Sequence, residues 1–71
     1  MTRLKIAVVG VGALGQHHAR ILSTLDSVEL VGVAEKDVEM GRSVAEACGC
    51  AHVTDFHDLL EDVDAVTIAV P

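Results

Sequence analysis

Hydrophobic and polar positions fall into two alternating patterns along the chain. Leu4, Ile6, Ala7, Val8 and Val9 form a short run that is apolar nearly throughout and stops at Gly10. A run of that length predicts a buried strand. From Leu14 the spacing changes: Leu14, His18, Ile21, Leu22 and Leu25 recur at offsets that fit one face of a helix. Asp26 and Ser27 close it. Residues 28–34 form a second strand, with Val31 and Val33 expected on one side and Leu30 on the other. Asp37 is placed to cap a second helix with Met40, Val44, Ala45 and Cys48 on its apolar side, and Gly49 to end it. Residues 50–53 predict a short third strand. Thr54 then caps a short helix whose apolar side is Phe56, Leu59 and Leu60. Residues 65–70 predict a fourth strand, stopped by Pro71.

The resulting order, β-α-β-α-β-α-β, implies parallel strands joined by right-handed crossovers. The class is α/β, and the expected sheet is part of a doubly wound one with strand order 3-2-1-4. A complete doubly wound domain continues past four strands. Residues 1–71 are therefore expected to be the N-terminal portion of such a domain, with its remainder and any further domain outside this chain. The fourth strand is then an edge, with Val66, Ile68 and Val70 on one face and Ala65, Thr67 and Ala69 on the other.

Composition narrows the class without changing this picture. Hydrophobic residues make up 51% of the 71 positions and charged residues 23%, which excludes a disordered tail. Phe56 is the single aromatic, so the core is aliphatic, as buried parallel strands usually are. A net charge of -6 argues against nucleic acid or an anionic membrane as partner. No apolar run reaches the ~18 residues of a membrane span. Two cysteines are too few for a disulfide scaffold, and the expected compartment is the reducing cytoplasm.

The candidate chemistry lies in the turn after the first strand. Gly10, Val11, Gly12, Ala13, Leu14 and Gly15 match G-x-G-x-x-G, directly after a strand and opening a helix. Gly10 permits the tight turn. Gly12 lets the backbone approach a pyrophosphate, and Gly15 lets the helix pack close to the strand. N–H groups near Ala13 and Leu14, with the helix dipole, can hold two phosphates. This is the fingerprint of a dinucleotide-binding Rossmann fold, and no P-loop lysine follows the glycines.

Glu35 stands about twenty residues past the third glycine, where that fingerprint places an acid for the ribose hydroxyls. Such a carboxylate repels a 2′-phosphate and favours NAD over NADP. Lys36 points the other way, since a cation beside the ribose can pair with that phosphate. NADP therefore stays open as a cofactor.

No catalytic or metal-ligating set can be assembled. His17 and His18 are adjacent on a helix and point about 100° apart. His18 lies on the apolar face and is expected to be a packed, hydrogen-bonded histidine. His52 and His57 have no cysteine at ligand spacing. Cys48 and Cys50, in a C-x-C pattern, are expected to be small apolar fillers. Residues 61–64 are expected to be a solvated loop.

Four stretches, residues 5–15, 16–20, 28–35 and 64–71, closely resemble the start of the Gfo/Idh/MocA oxidoreductases. The most specific features are His18, three residues after the third glycine, and the strand from Asp64, Ala65 and Val66 to Pro71. The resemblance implies an N-terminal half that binds NAD or NADP and a C-terminal α/β half that receives a sugar, nucleotide sugar or polyol. It implies that residues 10–15 hold the pyrophosphate, that Glu35 is the ribose carboxylate, and that Val70 and Pro71 border the dinucleotide. The family usually has Asp where Glu35 stands. Its Glu-Lys-Pro motif, whose lysine assists proton transfer, has no counterpart before Pro71.

The reading is the cofactor-binding part of an NAD(P)-dependent oxidoreductase that moves a hydride between nicotinamide and a sugar-like or polyol carbon, in a homo-oligomer. The alternative is a non-enzymatic nucleotide sensor, like the regulatory domains of potassium channels.

Overall fold

A computed structural model describes residues 3–69 of the chain. Its elements are β1 (Leu4–Val9), α1 (Ala13–Thr24), β2 (Val28–Ala34), α2 (Val38–Cys48), β3 (Ala51–Val53), a 3₁₀ helix (Phe56–Asp62) and β4 (Ala65–Ile68). All strands are parallel, in the order β3-β2-β1-β4. The expected α/β class and strand order hold. Val70 and Pro71 lie outside the described residues.

The order of the strands decides where the helices go. Chain progress from β1 to β2 to β3 runs one way across the sheet, then reverses to reach β4. Right-handed crossovers therefore place α1 and α2 on one face and the 3₁₀ helix on the other. Between sheet and helices lies an aliphatic core of Val8, Val11, Ala19, Val33, Val44 and Ala45, with Leu22, Leu30, Cys48 and Cys50 packed against it. On the opposite face the 3₁₀ helix buries Leu59. A Cβ on Gly32 would meet its side chain at 3.1 Å, so glycine in mid-strand makes room for it.

Three expectations about faces are corrected. In α1 the buried positions are Gly15 and Ala19, whereas Leu14 is 60% exposed and Ile21 and Leu25 are also exposed. The reason is close approach: a Cβ on Gly15 would fall on the carbonyl oxygen of Gly10, so only small residues fit along the contact line. The larger aliphatics are turned to the flank. In β2 the pairing slips between Ile6 and Ala7, so Ile6 opposes Leu30 while Ala7 opposes Gly32. Val31 is the extra residue of a bulge. Leu30 and Val33 consequently face the same core instead of opposite sides. In α2 the inward residues are Gly41, Val44 and Ala45, and Met40 is exposed.

Two end signals also differ. Asp37 caps α2 as expected, its Oδ1 accepting from Met40 N at 3.1 Å, and Gly49 ends it at φ 69°. The last helix, however, is capped by Asp55 rather than Thr54, with Oδ1 accepting from His57 N at 3.0 Å. Asp64 is not simply a solvated charge. Its N–H donates to the Lys5 carbonyl at 2.7 Å and its Oδ2 accepts from Lys5 N at 3.0 Å, which sets β4 in register beside β1. Among the described residues β4 is the outermost strand on its side, with Val66 and Ile68 exposed.

Two glycines should therefore differ in what a methyl group does. Gly15→Ala is expected to destabilise by about 3 kcal/mol, because backbone stands in the way on the Gly10 side. Gly49→Ala should cost only about 1 kcal/mol, from its left-handed φ. Urea unfolding of the intact protein measures both, and equal losses would contradict the packing assigned to Gly15.

Candidate cofactor site

The site forms where β1 and β2 end and α1 begins. Gly10 has φ 86°, a conformation that L side chains rarely adopt, and its N–H donates to the Ala34 carbonyl at 2.8 Å. This turn lifts the chain out of the sheet. Val11 drops its side chain into the core, fully buried. Gly12 precedes the helix in extended conformation, and its carbonyl accepts the first helical bond, from Gln16 N at 2.9 Å. Gly15 seats the helix on Gly10, as described above.

Gly12 is the informative glycine. Its φ of -63° suits any residue, and a Cβ there would meet nothing within 4 Å. Neither backbone strain nor packing within the described residues calls for glycine. The first turn of α1 is also without a side-chain cap or an acidic residue, whereas α2 and the 3₁₀ helix each have an aspartate cap. The N–H groups of Ala13 and Leu14 thus sit at a helix start where backbone donors and the positive dipole end face outward. A cleft of about 610 Å³ opens there, lined by Gly12, Ala13 and Leu14 on one side and by Glu35, Asp37 and Met40 on the other.

Glu35 is tied into this loop by both carboxylate oxygens. Oε1 accepts from Val11 N and Oε2 from Asp37 N, each at 2.9 Å. The Asp37 N–H, followed by that of Val11, holds the carboxyl below the ordinary glutamate range. Each oxygen retains a lone pair for a further donor. Lys36 is exposed beside it. Both border a second cavity of about 550 Å³, whose far wall holds Asp55, Phe56 and His57. The Phe56 and His57 rings stack with centroids 4.3 Å apart, and Asp55 Oδ1 holds His57 Nδ1 at 2.7 Å. The His57 N–H groups, main chain first, keep the Asp55 carboxyl below its usual range.

The structure brings Gly10, Gly12, Ala13, Leu14 and Glu35 around one cleft, with Lys36 at its neighbour, while Gly15 lies buried behind it against Gly10. Three contributors were not legible in the chain: the Val11 N–H, the His52 ring and Gly41. His52 Nε2 lies 2.9 Å from the Glu35 carbonyl oxygen, and a Cβ on Gly41 would overlap the His52 ring. A glycine inside a helix, unfavourable by about 1 kcal/mol against alanine, was the signal available for that contact. His18 differs from expectation: its Nδ1 is buried and finds no hydrogen-bond partner among the described residues. Cys48 and Cys50 are free and half-buried, and burial, then Cys48, raises the Cys50 thiol to about 11, so it stays protonated.

The lowered Glu35 pKa has a testable sign. A carboxyl with a depressed folded-state pKa contributes stability in full above its ordinary value and loses it as pH falls through the folded value. Below the ordinary glutamate range, the native protein should therefore lose stability more steeply on acidification than Glu35→Gln. Urea midpoints measured from neutral to acid pH check this, and parallel curves would contradict it.

Comparisons with known proteins agree with the geometry. A 4-carboxy-2-hydroxymuconate-6-semialdehyde dehydrogenase of Sphingobium sp. is 37% identical over 71 residues, covering 96% of this chain and 22% of that protein. An inositol 2-dehydrogenase of Mycolicibacterium gilvum is 41% identical over 75 residues, covering 100% of this chain and 22% of the relative. Among solved structures, GenD2 from gentamicin A biosynthesis, in complex with NAD, superposes with a TM-score of 0.93 at 34% identity, covering 100% of this chain and 21% of that one. The chain thus spans only about a fifth of the length of these relatives. The profile described as "Oxidoreductase family, NAD-binding Rossmann fold" matches residues 4–71, and the chain belongs to this family, the Gfo/Idh/MocA oxidoreductases.

Proposed function

We propose that this chain is the N-terminal, cofactor-holding portion of a longer NAD(P)-dependent oxidoreductase. The observation that carries the reading is Gly12: nothing in the described fold calls for a glycine there, while a dinucleotide lying on the helix start does. Gly10, Gly12 and Gly15 shape the loop, and the N–H groups of Ala13 and Leu14 hold the pyrophosphate. Glu35 accepts from the ribose hydroxyls. The adenosine end extends into the cavity between Lys36 and the Phe56–His57 pair. Val70 and Pro71 border the dinucleotide.

The bound dinucleotide supplies a hydride acceptor or donor at its nicotinamide. The work of this chain is placement. The loop fixes the phosphates through the backbone, and Glu35 fixes the ribose while holding the Val11 N–H of the same loop. NAD is the favoured cofactor, since the Glu35 carboxylate repels a 2′-phosphate. The family relation speaks against the sensor reading.

The substrate is a sugar, nucleotide sugar or polyol received by a part of the protein outside this segment. Inositol, in the names of several relatives, supports it. A relative named for a muconate semialdehyde shares the same segment, as a cofactor portion without substrate-facing residues allows. Among the described residues no helix is long and apolar enough to cross a membrane. A cytoplasmic homo-oligomer completes the proposal.

Gly12→Val tests the loop. It should weaken NAD binding to the intact protein by about 100-fold, the equivalent of two charge-assisted hydrogen bonds, and leave the Tm nearly unchanged. Unaltered NAD affinity by isothermal titration would overturn the assignment. Comparing kcat/KM for the two dinucleotides tests Glu35, with NAD expected to be preferred.

A further inference from the structure

We infer that His52 is a positioning residue for the Glu35 carboxylate, acting through the main chain of the β2–α2 turn, and thereby tunes the choice between NAD and NADP. The inference rests on the cofactor reading above. β2 ends at Ala34, and the Glu35 N–H still reaches across to β3, donating to the Val53 carbonyl at 2.9 Å. The Glu35 carbonyl has left the ladder. It is captured by His52, which sits on β3 opposite Val33 and brings Nε2 to 2.9 Å. A carbonyl only accepts, so Nε2 carries the proton.

The seat of the ring is built by a second element. Gly41 belongs to the buried side of α2, and any side chain at that position would overlap the His52 ring. The ring is thus confined between β3 and α2, with its donor aimed at one main-chain oxygen. Glu35 is consequently held at both ends. Its carboxylate is gripped by the Val11 and Asp37 N–H groups, and its main chain by Val53 and His52.

The neighbour of Glu35 gives this bond a functional meaning. Lys36 is the next residue in the same turn, and it carries the charge that suits a 2′-phosphate. The conformation of the peptide between them decides which of the two charges stands nearer the ribose. The Glu35 carbonyl, held by His52, belongs to that peptide. With the donor gone, the Glu35–Lys36 peptide loses the bond that fixes its carbonyl, and the carboxylate loses part of its advantage.

The test is isothermal titration of the intact protein with NAD and with NADP, in the parent, H52F and H52Q. H52F keeps a ring over Gly41 without a donor, and H52Q restores an N–H donor. NAD should bind H52F about fivefold more weakly, the weight of one neutral hydrogen bond, while NADP is unchanged or tighter. H52Q should return the ratio of the two affinities to within about twofold of the parent. A ratio unchanged in H52F, with or without a lower Tm, overturns the inference and leaves the cofactor reading standing. A parent that binds neither dinucleotide removes both. Should H52F not fold, H52L takes its place, and failure of both variants to fold makes His52 a structural residue and overturns the inference.

Discussion

The whole arrangement depends on one close contact, the seating of α1 on the carbonyl of Gly10 through the missing side chain of Gly15. Interiors pack at crystal-like density, so a helix that approaches by the depth of one methyl group changes every neighbour. Here the approach brings Ala19 to the sheet beside Val11 and Val8, and it leaves Leu14, Ile21 and Leu25 on the flank. It also sets the helix start at the mouth of the loop. Core packing and anion recognition are therefore two results of the same contact.

Charge is handled locally in this domain. A chain with a net charge of -6 repels anions at long range, yet its candidate anion site is made of backbone N–H groups. The nearby acid does not oppose them. Glu35 spends its oxygens on the Val11 and Asp37 N–H groups, so its negative charge stabilises the turn on either side of the cleft. The Glu35 side chain spans from the end of β2 to the glycine loop.

The element order, the strand order and the loop from Gly10 to Gly15 were legible because they rest on short-range pattern: apolar runs, glycine spacing and an aspartate before α2. What was not legible depends on tertiary contact. Helical periodicity identified the bulky residues of α1 as its core face, but the distance to the sheet admits only Gly15 and Ala19. Simple alternation separated Leu30 from Val33, and the bulge at Val31 reunites them. Thr54 was the expected cap of the last helix, but it is the carboxylate of the next residue, Asp55, that reaches His57 N. The bond from His52 to Glu35 joins residues 17 apart through a ring, which no periodicity encodes.

The paired bonds between Asp64 and Lys5 set an order of events. These residues are 59 apart, and they close the largest loop among the side-chain bonds of the described residues. Closing a loop costs chain entropy that grows with its length, so contacts of short separation form against a smaller barrier. Synthesis proceeds from the N-terminus, and β1, α1 and β2 are complete before Asp64 exists. Without β4, β1 has only β2 to pair with and its other edge is bare. The aspartate that anchors β4 thus also ends the period in which the central strand of the sheet is open to a wrong neighbour.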